Sequence, residues 1–261
     1  MQYKYAKEQV DYSDFSSGRV FYSLPGHPAF PVRLASEIFQ RCLAHREKIY
    51  GNSTPCTLYD PCCGAAYHLS VLGYIHGKNI REIIGSDIDE KAVGLAKRNL
   101  SLLSREGLEK RIREISEMFE QYGKDSHREA LQSASLLKEK VFTRTENHSL
   151  MTRVFPANAL DSREILNYIQ PKTVDIVFTD VPYGHHSYWH DSDSGQHSDP
   201  LASMLDALRP VLSPSSIVAI ASDKQQKVQH YAFQRLELFQ AGKRRVVILK
   251  LNELTRKSND H

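Results

Sequence analysis

The sequence lacks several features that would place it in a specialised class of protein. It has no apolar run of 18 residues, so it contains no candidate transmembrane helix. Its first residues, MQYKYAKEQVDYSDF, include no apolar segment of the kind that a signal peptide needs, so we expect no secretion. There are only four cysteines, without the spacing of a disulfide scaffold, which indicates a reducing compartment. We therefore expect a cytoplasmic protein.

A large excess of charge of one sign is also missing. The 261 residues include 34 Lys and Arg against 31 Asp and Glu, a formal net charge of +3. This mildly basic balance permits a nucleic-acid partner but does not require one. Apolar residues make up 41% of the chain, which is usual for a globular domain and enough for a sizeable core.

Strand-like and helix-like segments alternate along most of the chain. Residues 1–30 show no clear period and are interpreted as an N-terminal lead-in. Over residues 31–251, short apolar runs such as CTLYD alternate with amphipathic segments, which predicts one domain with a mainly parallel sheet and helices on both faces. Two β-rich runs on either side of Gly242 predict an antiparallel hairpin at one edge. Residues 252–261 are expected to form a flexible tail.

One segment interrupts this alternation with helices alone. Two apolar stripes at helical spacing, separated by GKDS, predict a helical hairpin inserted over about residues 105–145. A packed structural appendage is the simpler interpretation of this hairpin, and a substrate-docking arm is the alternative. The first stripe consists of Leu108, Ile112, Ile115, Phe119 and Tyr122.

Two aspartates end the first two predicted strands. Asp60 precedes a tight loop with Gly64 and then a helix, an arrangement that turns backbone N–H groups toward a ligand at the carboxyl edge of the sheet. Asp87, in GSDID, is placed to accept hydrogen bonds from both ribose hydroxyls of a nucleoside. The G-x-G-x-x-G pattern of a pyrophosphate-binding loop is absent. The sequence therefore favours a nucleoside without phosphates, and S-adenosylmethionine fits.

A third strand, VDIVF, ends in the motif TDVPYG. Asp180 lies at the strand end, and Pro182 has no N–H, so nearby carbonyls are available to accept from an incoming N–H. Tyr183 offers a ring on which a planar base can stack. Two acceptors directed at one planar nitrogen, with a ring above it, suit methyl transfer to an amino or ring nitrogen. An ordinary Asp-x-Pro turn is the simpler alternative.

In this order, DPCCG, GSDID, KRNL and TDVPYG resemble the class I methyltransferases of the Asp/Asn-Pro-Pro-Tyr group, which act on nitrogen. The longer segments PGHPAFPVRLASEIFQ and LYDPCCGAAYHLSVLG resemble the AviRa family of rRNA methyltransferases, and the similarity runs from about Gly18 onward. The resemblance implies a Rossmann-like α/β fold with a seven-stranded, mainly parallel sheet. It also implies that S-adenosylmethionine methylates a guanine base nitrogen in 23S rRNA, free or within the large ribosomal subunit, with avilamycin resistance as an associated role.

The resemblance also assigns roles to individual residues. Asp180, Pro182 and Tyr183 are the expected catalytic residues at the target nitrogen. Arg33, in AFPVR, is expected to pair with the carboxylate of the cofactor's methionine part. Asn158 occupies a position where such enzymes often carry an acid beside the adenine. The full set of expected cofactor-binding residues is Arg33, Asp60, Cys62, Gly64, Ala65, Ala66, Asp87, Ile88, Asn158, Ala159 and Asp180.

Two positions depart from the family pattern. The cofactor loop has Gly64-Ala65-Ala66 where the family has Gly-Ser-Gly. If the third position takes a positive φ, Ala66 costs about 1 kcal/mol or shifts the loop. The target motif has Val181 before Pro182, which keeps a carbonyl and is expected to leave an N–H free.

A polar loop, HHSYWHDSDSGQH, follows the target motif and contains the only tryptophan. One interpretation is a flap over the target base in which His185 and Trp189 touch RNA, and another is a solvated loop. Its spacing matches no standard zinc pattern, so we predict no metal. Lys224 and Lys227 follow a later strand at the same predicted edge and are candidate phosphate contacts, with a solvated surface as the alternative.

Other functions are also compatible with these residues. Enzymes of the same group modify adenine N6 in nucleic acid or a glutamine in protein. A chain whose cofactor loop has decayed, as Ala66 could indicate, would instead act as an rRNA-binding or assembly protein.

Overall fold

The computed structural model describes residues 2–16, 18–23, 29–52, 54–145, 150–181 and 199–252. Its seven strands are β1 (Cys56–Asp60), β2 (Ile80–Asp87), β3 (Met151–Pro156), β4 (Val174–Asp180), β5 (Leu212–Asp223), β6 (Phe233–Ala241) and β7 (Arg244–Leu251). They form one sheet in the order β3-β2-β1-β4-β5-β7-β6. The first five strands are parallel, and β7 runs antiparallel to both β5 and β6. The predicted α/β class, the seven strands and the C-terminal hairpin are confirmed.

Helices cover both faces of this sheet. They are α1 (Val32–Tyr50), α2 (Tyr67–His76), α3 (Glu90–Ser101), α4 (Arg105–Tyr122), α5 (Asp125–Thr145), α6 (Ser162–Leu166) and α7 (Pro200–Leu208). One apolar core receives side chains from α1, α2, α3 and the α4–α5 pair, and the other receives them from α6 and α7. No helix in the described part of the chain has the length and hydropathy that a membrane span requires.

Local sequence signals set the ends of several helices. Asp89, Ser104 and Asp199 each accept a hydrogen bond from a backbone N–H in the first turn of the following helix. Gly51 takes a left-handed conformation, with φ of 61°, and ends α1. Pro31 precedes α1 as its N-cap.

The predicted helical hairpin is confirmed as α4 and α5, which pack against each other and against the main core. Leu108 and Ile115 of α4 are buried, as are Ala134 and Leu137 of α5. The guanidinium of Arg111 donates hydrogen bonds to the carbonyls of Arg19 and Val20. The hairpin therefore packs on the main core, and its Arg111 holds the N-terminal lead-in.

Where the structure describes it, the lead-in is irregular, as expected, apart from one short 3-10 turn (Ser13–Phe15) and an isolated bridge at Phe21. A carboxylate with no solvent exposure fixes its first residues: Glu37 of α1 accepts hydrogen bonds from the backbone N–H groups of Lys4, Tyr5 and Ala6. Because unpaired buried groups are costly, these bonds tie the segment to α1 without regular secondary structure.

Candidate active site

The parallel strands bring three aspartates to one edge of the sheet. Asp60 ends β1, Asp87 ends β2 and Asp180 ends β4. Since β1 lies between β2 and β4, Asp60 stands between the other two. Burial is the main reason that the pKa of Asp60 rises to about 8, and the negative charges of Asp87 and Asp180 raise it further. The three carboxylates therefore share one electrostatic environment.

Asp60 is fully buried and only partly satisfied. Its Oδ1 accepts a hydrogen bond from the N–H of Cys62 at 3.0 Å. Its Oδ2 has no hydrogen-bond partner of good geometry among the described residues, although Nε2 of His68 lies 3.2 Å away and the hydroxyl of Thr179 on β4 is close enough to oppose the rise in the pKa of Asp60. Burial lowers the pKa of His68 to about 4, so this imidazole is neutral near pH 7 and does not balance a charge on Asp60.

The loop after β1 has the backbone shape that the sequence suggested. Gly64 takes a φ of 51° and donates its N–H to Oδ2 of Asp87 at 2.8 Å. Ala66 takes a φ of 53° although it is not glycine, and its N–H donates to the carbonyl of Cys63 at 2.7 Å. The loop thus keeps the left-handed conformation at the position where the family has glycine, at a cost of about 1–2 kcal/mol.

Sequence reasoning assigned no role to Asn99, which fixes this loop from α3. The side chain has no solvent exposure, and its Nδ2 donates to the carbonyls of Ala65 at 2.8 Å and Tyr22 at 2.9 Å. Its Oδ1 accepts from the N–H of Tyr22. The available signal was an amide on the apolar face of a predicted helix, within the quoted KRNL motif.

The loop after β3 joins the end of β2 beside Asp87. The N–H of Ala157 donates to the carbonyl of Asp87 at 3.1 Å, which places Asn158 and Ala159 next to this strand end. Oδ1 of Asn158 accepts from the N–H of Leu160, and Ile88 is 49% exposed. The expected ribose and adenine residues therefore lie together on one side of the site.

At the other side of the site, Asp180 pairs with an arginine that the sequence did not connect to it. Arg244 of β7 donates from Nε to Oδ1 at 3.4 Å and from Nη2 to Oδ2 at 3.3 Å. Burial raises the pKa of Asp180, while the charge of Arg244 opposes that rise. The N–H of Val181, which we expected to be free, is instead bonded to the carbonyl of Ala221, because β4 and β5 continue their pairing past Asp180.

Comparison with known proteins identifies the family. The family model of the rRNA methyltransferase AviRa matches residues 1–244. This chain belongs to the AviRa family. A relative from Streptomyces viridochromogenes, 23S rRNA (guanine(2535)-N(1))-methyltransferase, is 38% identical over 248 residues, which cover 95% of each chain.

Solved structures agree with that assignment. Two structures of the rRNA methyltransferase aviRa from Streptomyces viridochromogenes superimpose on this chain with TM-scores of 0.81 and 0.82. Each is 38% identical, and the match covers 95% of this chain and 96% of the solved one. The Rossmann-like methyltransferase fold of the AviRa family is therefore confirmed.

One residue carried over from the AviRa resemblance has other contacts in this structure. The guanidinium of Arg33 donates to the carbonyls of Ala6 and Lys7, both at 2.9 Å, and lies 4.1 Å from the ring centre of Tyr3. The first turn of α1 faces the N-terminal lead-in, so the guanidinium is used to hold that segment. These contacts do not bring Arg33 to the three aspartates.

The remaining predicted residues divide into two groups. Lys224 and Lys227 are exposed and directly follow β5 at the carboxyl edge. The others, Pro182, Tyr183, His185 and Trp189, lie outside the described residues. No group of three His, Cys, Asp or Glu side chains within the described ranges can hold a metal ion, and the histidine-rich loop falls outside those ranges.

A surface groove of about 560 Å³ lies elsewhere, between α3 and the edge strand β3. Its lining includes Lys97, Arg153 and Phe155, whose ring stacks on Tyr168 at 4.3 Å. None of the three aspartates lines it. We therefore assign the candidate site to the carboxyl ends of β1, β2 and β4 and the Gly64–Ala66 loop, where the three aspartates lie.

Proposed function

We propose that this protein transfers a methyl group from S-adenosylmethionine to N1 of a guanine in 23S rRNA. The observation that carries the proposal is the convergence of Asp60, Asp87 and Asp180 around the Gly64–Ala66 loop at one edge of the sheet. Membership of the AviRa family supports it, as does the relative whose name states N1 methylation of a guanine in 23S rRNA.

The residues at the carboxyl edge fit S-adenosylmethionine. Asp87 accepts one backbone N–H at each oxygen, and a carboxylate oxygen can accept a second donor, so it can bind both ribose hydroxyls. Among the described residues, Oδ2 of Asp60 is buried without a hydrogen bond of good geometry, so it can accept one from an N–H-bearing group. When bound, the cofactor supplies an electrophilic methyl group on a positively charged sulfur.

In this proposal, the loop residues Cys62, Gly64, Ala65 and Ala66 lie along the methionine part of the cofactor. The adenine lies against Ile88, Asn158 and Ala159, which the structure groups beside Asp87. Arg33 is left out of the cofactor set because its donors bind the carbonyls of Ala6 and Lys7.

The target base meets the site at the end of β4. Asp180 accepts an N–H of the base, and Pro182 and Tyr183 complete the acceptor and stacking positions. The base has to leave its helix, or be unpaired already, to reach this point. Lys224 and Lys227 bind RNA phosphates beside the site, and His185 and Trp189 touch RNA from the following loop.

Isothermal titration calorimetry tests the cofactor part of the proposal. We expect S-adenosylmethionine to bind the wild-type protein, and Asp87→Ala to weaken binding by at least about tenfold, since hydrogen bonds to a charged group are lost. Asp125→Ala, at an exposed position at the start of α5, is the matched control and should bind like wild type. Absence of binding at millimolar cofactor would rule out the enzyme and favour an rRNA-binding protein.

Labelled-methyl transfer tests the substrate part. The protein is offered total rRNA, isolated large subunits, DNA and protein, and the labelled RNA is digested for mass spectrometry. We expect label in 23S rRNA as N1-methylguanine. Label confined to DNA or protein, or found in adenine, would replace the proposal by one of the other activities of the group.

A further inference from the structure

Arg244 reaches the end of β4 from two strands away. It is the first residue of β7, and β5 lies between β7 and β4. The β5 residue paired with Asp180 is Ala221, whose methyl group is short enough to leave room for the crossing side chain. The guanidinium meets both oxygens of Asp180, at 3.3 and 3.4 Å.

The guanidinium of Arg244 packs against an aromatic ring. Its guanidinium carbon lies 4.8 Å from the ring centre of Phe30, and Phe30 packs edge-on against Phe178, two residues before Asp180. Phe30 is buried, so this support is fixed by the core. The side chains of Arg244 and Asp180 are 16% and 20% exposed, so part of each is open to solvent.

The pair presents an acceptor beside a donor. An ionised aspartate only accepts hydrogen bonds, and a guanidinium only donates them. Guanine carries a donor, N1–H, next to an acceptor, O6, whereas adenine carries the acceptor N1 next to the donor N6. The 3.3–3.4 Å contacts are longer than the 2.7–2.9 Å typical of charge-assisted bonds. A base can therefore bind both groups without breaking short hydrogen bonds between them.

We propose that Asp180 and Arg244 together read the target guanine, with Asp180 accepting N1–H and Arg244 donating to O6. This inference rests on the proposed function and extends it to the residues that select guanine against adenine. With N1 of the base held at Asp180, guanine presents a donor to the carboxylate and an acceptor to the guanidinium. In the same position adenine presents the N1 lone pair to the carboxylate and the N6 amino group to the guanidinium, so both contacts are unfavourable and the pair selects guanine.

The same pair serves the transfer itself. The N1–H bond breaks and its proton passes to the Asp180 carboxylate. The electron pair left on N1 forms the bond to the methyl carbon as the carbon–sulfur bond of the methyl donor breaks with its pair on sulfur. The negative charge that develops on the base as the proton leaves is shared by O6, where Arg244 stabilises it.

Kinetics of Arg244→Gln and Arg244→Lys on unmodified 23S rRNA test the role of the guanidinium. We expect Arg244→Gln to lower kcat by about 10²–10³-fold near pH 7.5, as for other donors to a developing oxyanion, with KM for RNA changed less than about threefold. Arg244→Lys keeps the charge, so its kcat should be about tenfold higher than that of Arg244→Gln. Arg209→Gln is the control: Arg209 also pairs with an aspartate, Asp206, and lies over a tyrosine ring, but at the amino end of β5.

The pH profile of Asp180→Asn tests proton removal. An amide cannot take the N1 proton, so this variant should be strongly impaired near neutral pH and regain activity as the pH approaches the alkaline pKa of guanine N1. Wild type should show no comparable gain. If Asp180 only supported the fold, its substitution would lower the rate of methyl transfer at every pH.

The outcomes separate the two levels of inference. If wild type forms N1-methylguanine but Arg244→Gln keeps kcat, or Asp180→Asn shows no alkaline recovery, the reading of guanine by this pair is overturned while the proposed function stands. If wild type forms no N1-methylguanine, both are overturned. If circular dichroism shows that Arg244→Gln does not fold, Arg244→Lys and the Asp180→Asn profile decide.

Discussion

The two ends of β4 each carry an aspartate paired with an arginine, yet the pairs differ. At the amino end, Asp175 accepts from Arg46 at 2.7 Å, from the N–H of Thr57 at 2.9 Å and from the hydroxyl of Ser213 at 3.2 Å. At the carboxyl end, the shortest contact of Asp180 with Arg244 is 3.3 Å, and both side chains are more exposed than those of Asp175 and Arg46. The carboxylate of Asp175 is held by three hydrogen bonds within the fold, whereas the carboxylate of Asp180 can still accept a hydrogen bond from a ligand.

Asp60 makes the same contrast sharper. It is buried, as Asp175 is, but one of its oxygens has no hydrogen bond of good geometry within the described part of the chain, and the nearby His68 is neutral. A buried carboxylate in this state reduces stability, and such perturbed groups concentrate at functional sites. The pair at the amino edge of the sheet therefore stabilises the fold, whereas the burial of Asp60 at the carboxyl edge reduces stability.

The largest effect should come from breaking the pair at the amino end. Asp175→Ala leaves Arg46 buried without its charge partner, and we expect a loss of about 3–5 kcal/mol in the free energy of unfolding, measured by urea titration. Asp206→Ala, at a half-exposed pair, should cost less than about 1 kcal/mol. A loss at Asp175 as small as that at Asp206 would contradict the contrast between the edges.

The matched change at the carboxyl end should affect activity and leave stability nearly unchanged. Asp180→Ala should lower kcat for methyl transfer by at least about 10²-fold, because a proton acceptor at the base is lost. Its free energy of unfolding should stay within about 1 kcal/mol of wild type, because the pair is loose and partly exposed. Destabilisation equal to that of Asp175→Ala would show that both ends serve the fold alike.

The cost of burying Asp60 should depend on pH. Its folded-state pKa, about 8, is above its ordinary value of 3.8, so the folded state holds the proton more tightly than the unfolded state. The stability of wild type should therefore fall as the pH rises from about 4 to about 8. Asp60→Asn removes this dependence, so its melting temperature relative to wild type should be higher at about pH 8.5 than at about pH 5. An equal difference at both pH values would exclude a raised pKa.

The smallest effect concerns the strained loop. In Ala66→Gly, relief of the left-handed backbone, about 1–2 kcal/mol, offsets the added chain entropy and the lost methyl burial, so stability should change by less than about 0.5 kcal/mol. Ala35→Gly, at a buried position in α1, lacks that relief and should lose about 1–2 kcal/mol. Equal losses in urea unfolding would show that Ala66 carries no strain.

The sequence by itself determined the order of strands and helices and the positions of the three aspartates. β1 begins and ends at the residues of the apolar run CTLYD, β4 begins with the run VDIVF, and the helical hairpin lies where two stripes predicted it. These features depend on periodicity and capping within a few residues, so they are visible in the chain as written. Parallel strands then bring their carboxyl ends to one edge, which locates Asp60, Asp87 and Asp180 together.

The tertiary structure alone decided which groups these residues meet. Asp180 pairs with an arginine 64 positions away, Arg33 binds the N-terminal segment, and Asn99 joins that segment to the loop after β1. It also decided that Asp60 is buried beside Asp87 and Asp180, which raises its pKa. Pairing and desolvation depend on how distant segments pack, and local sequence periodicity carries no information about that packing.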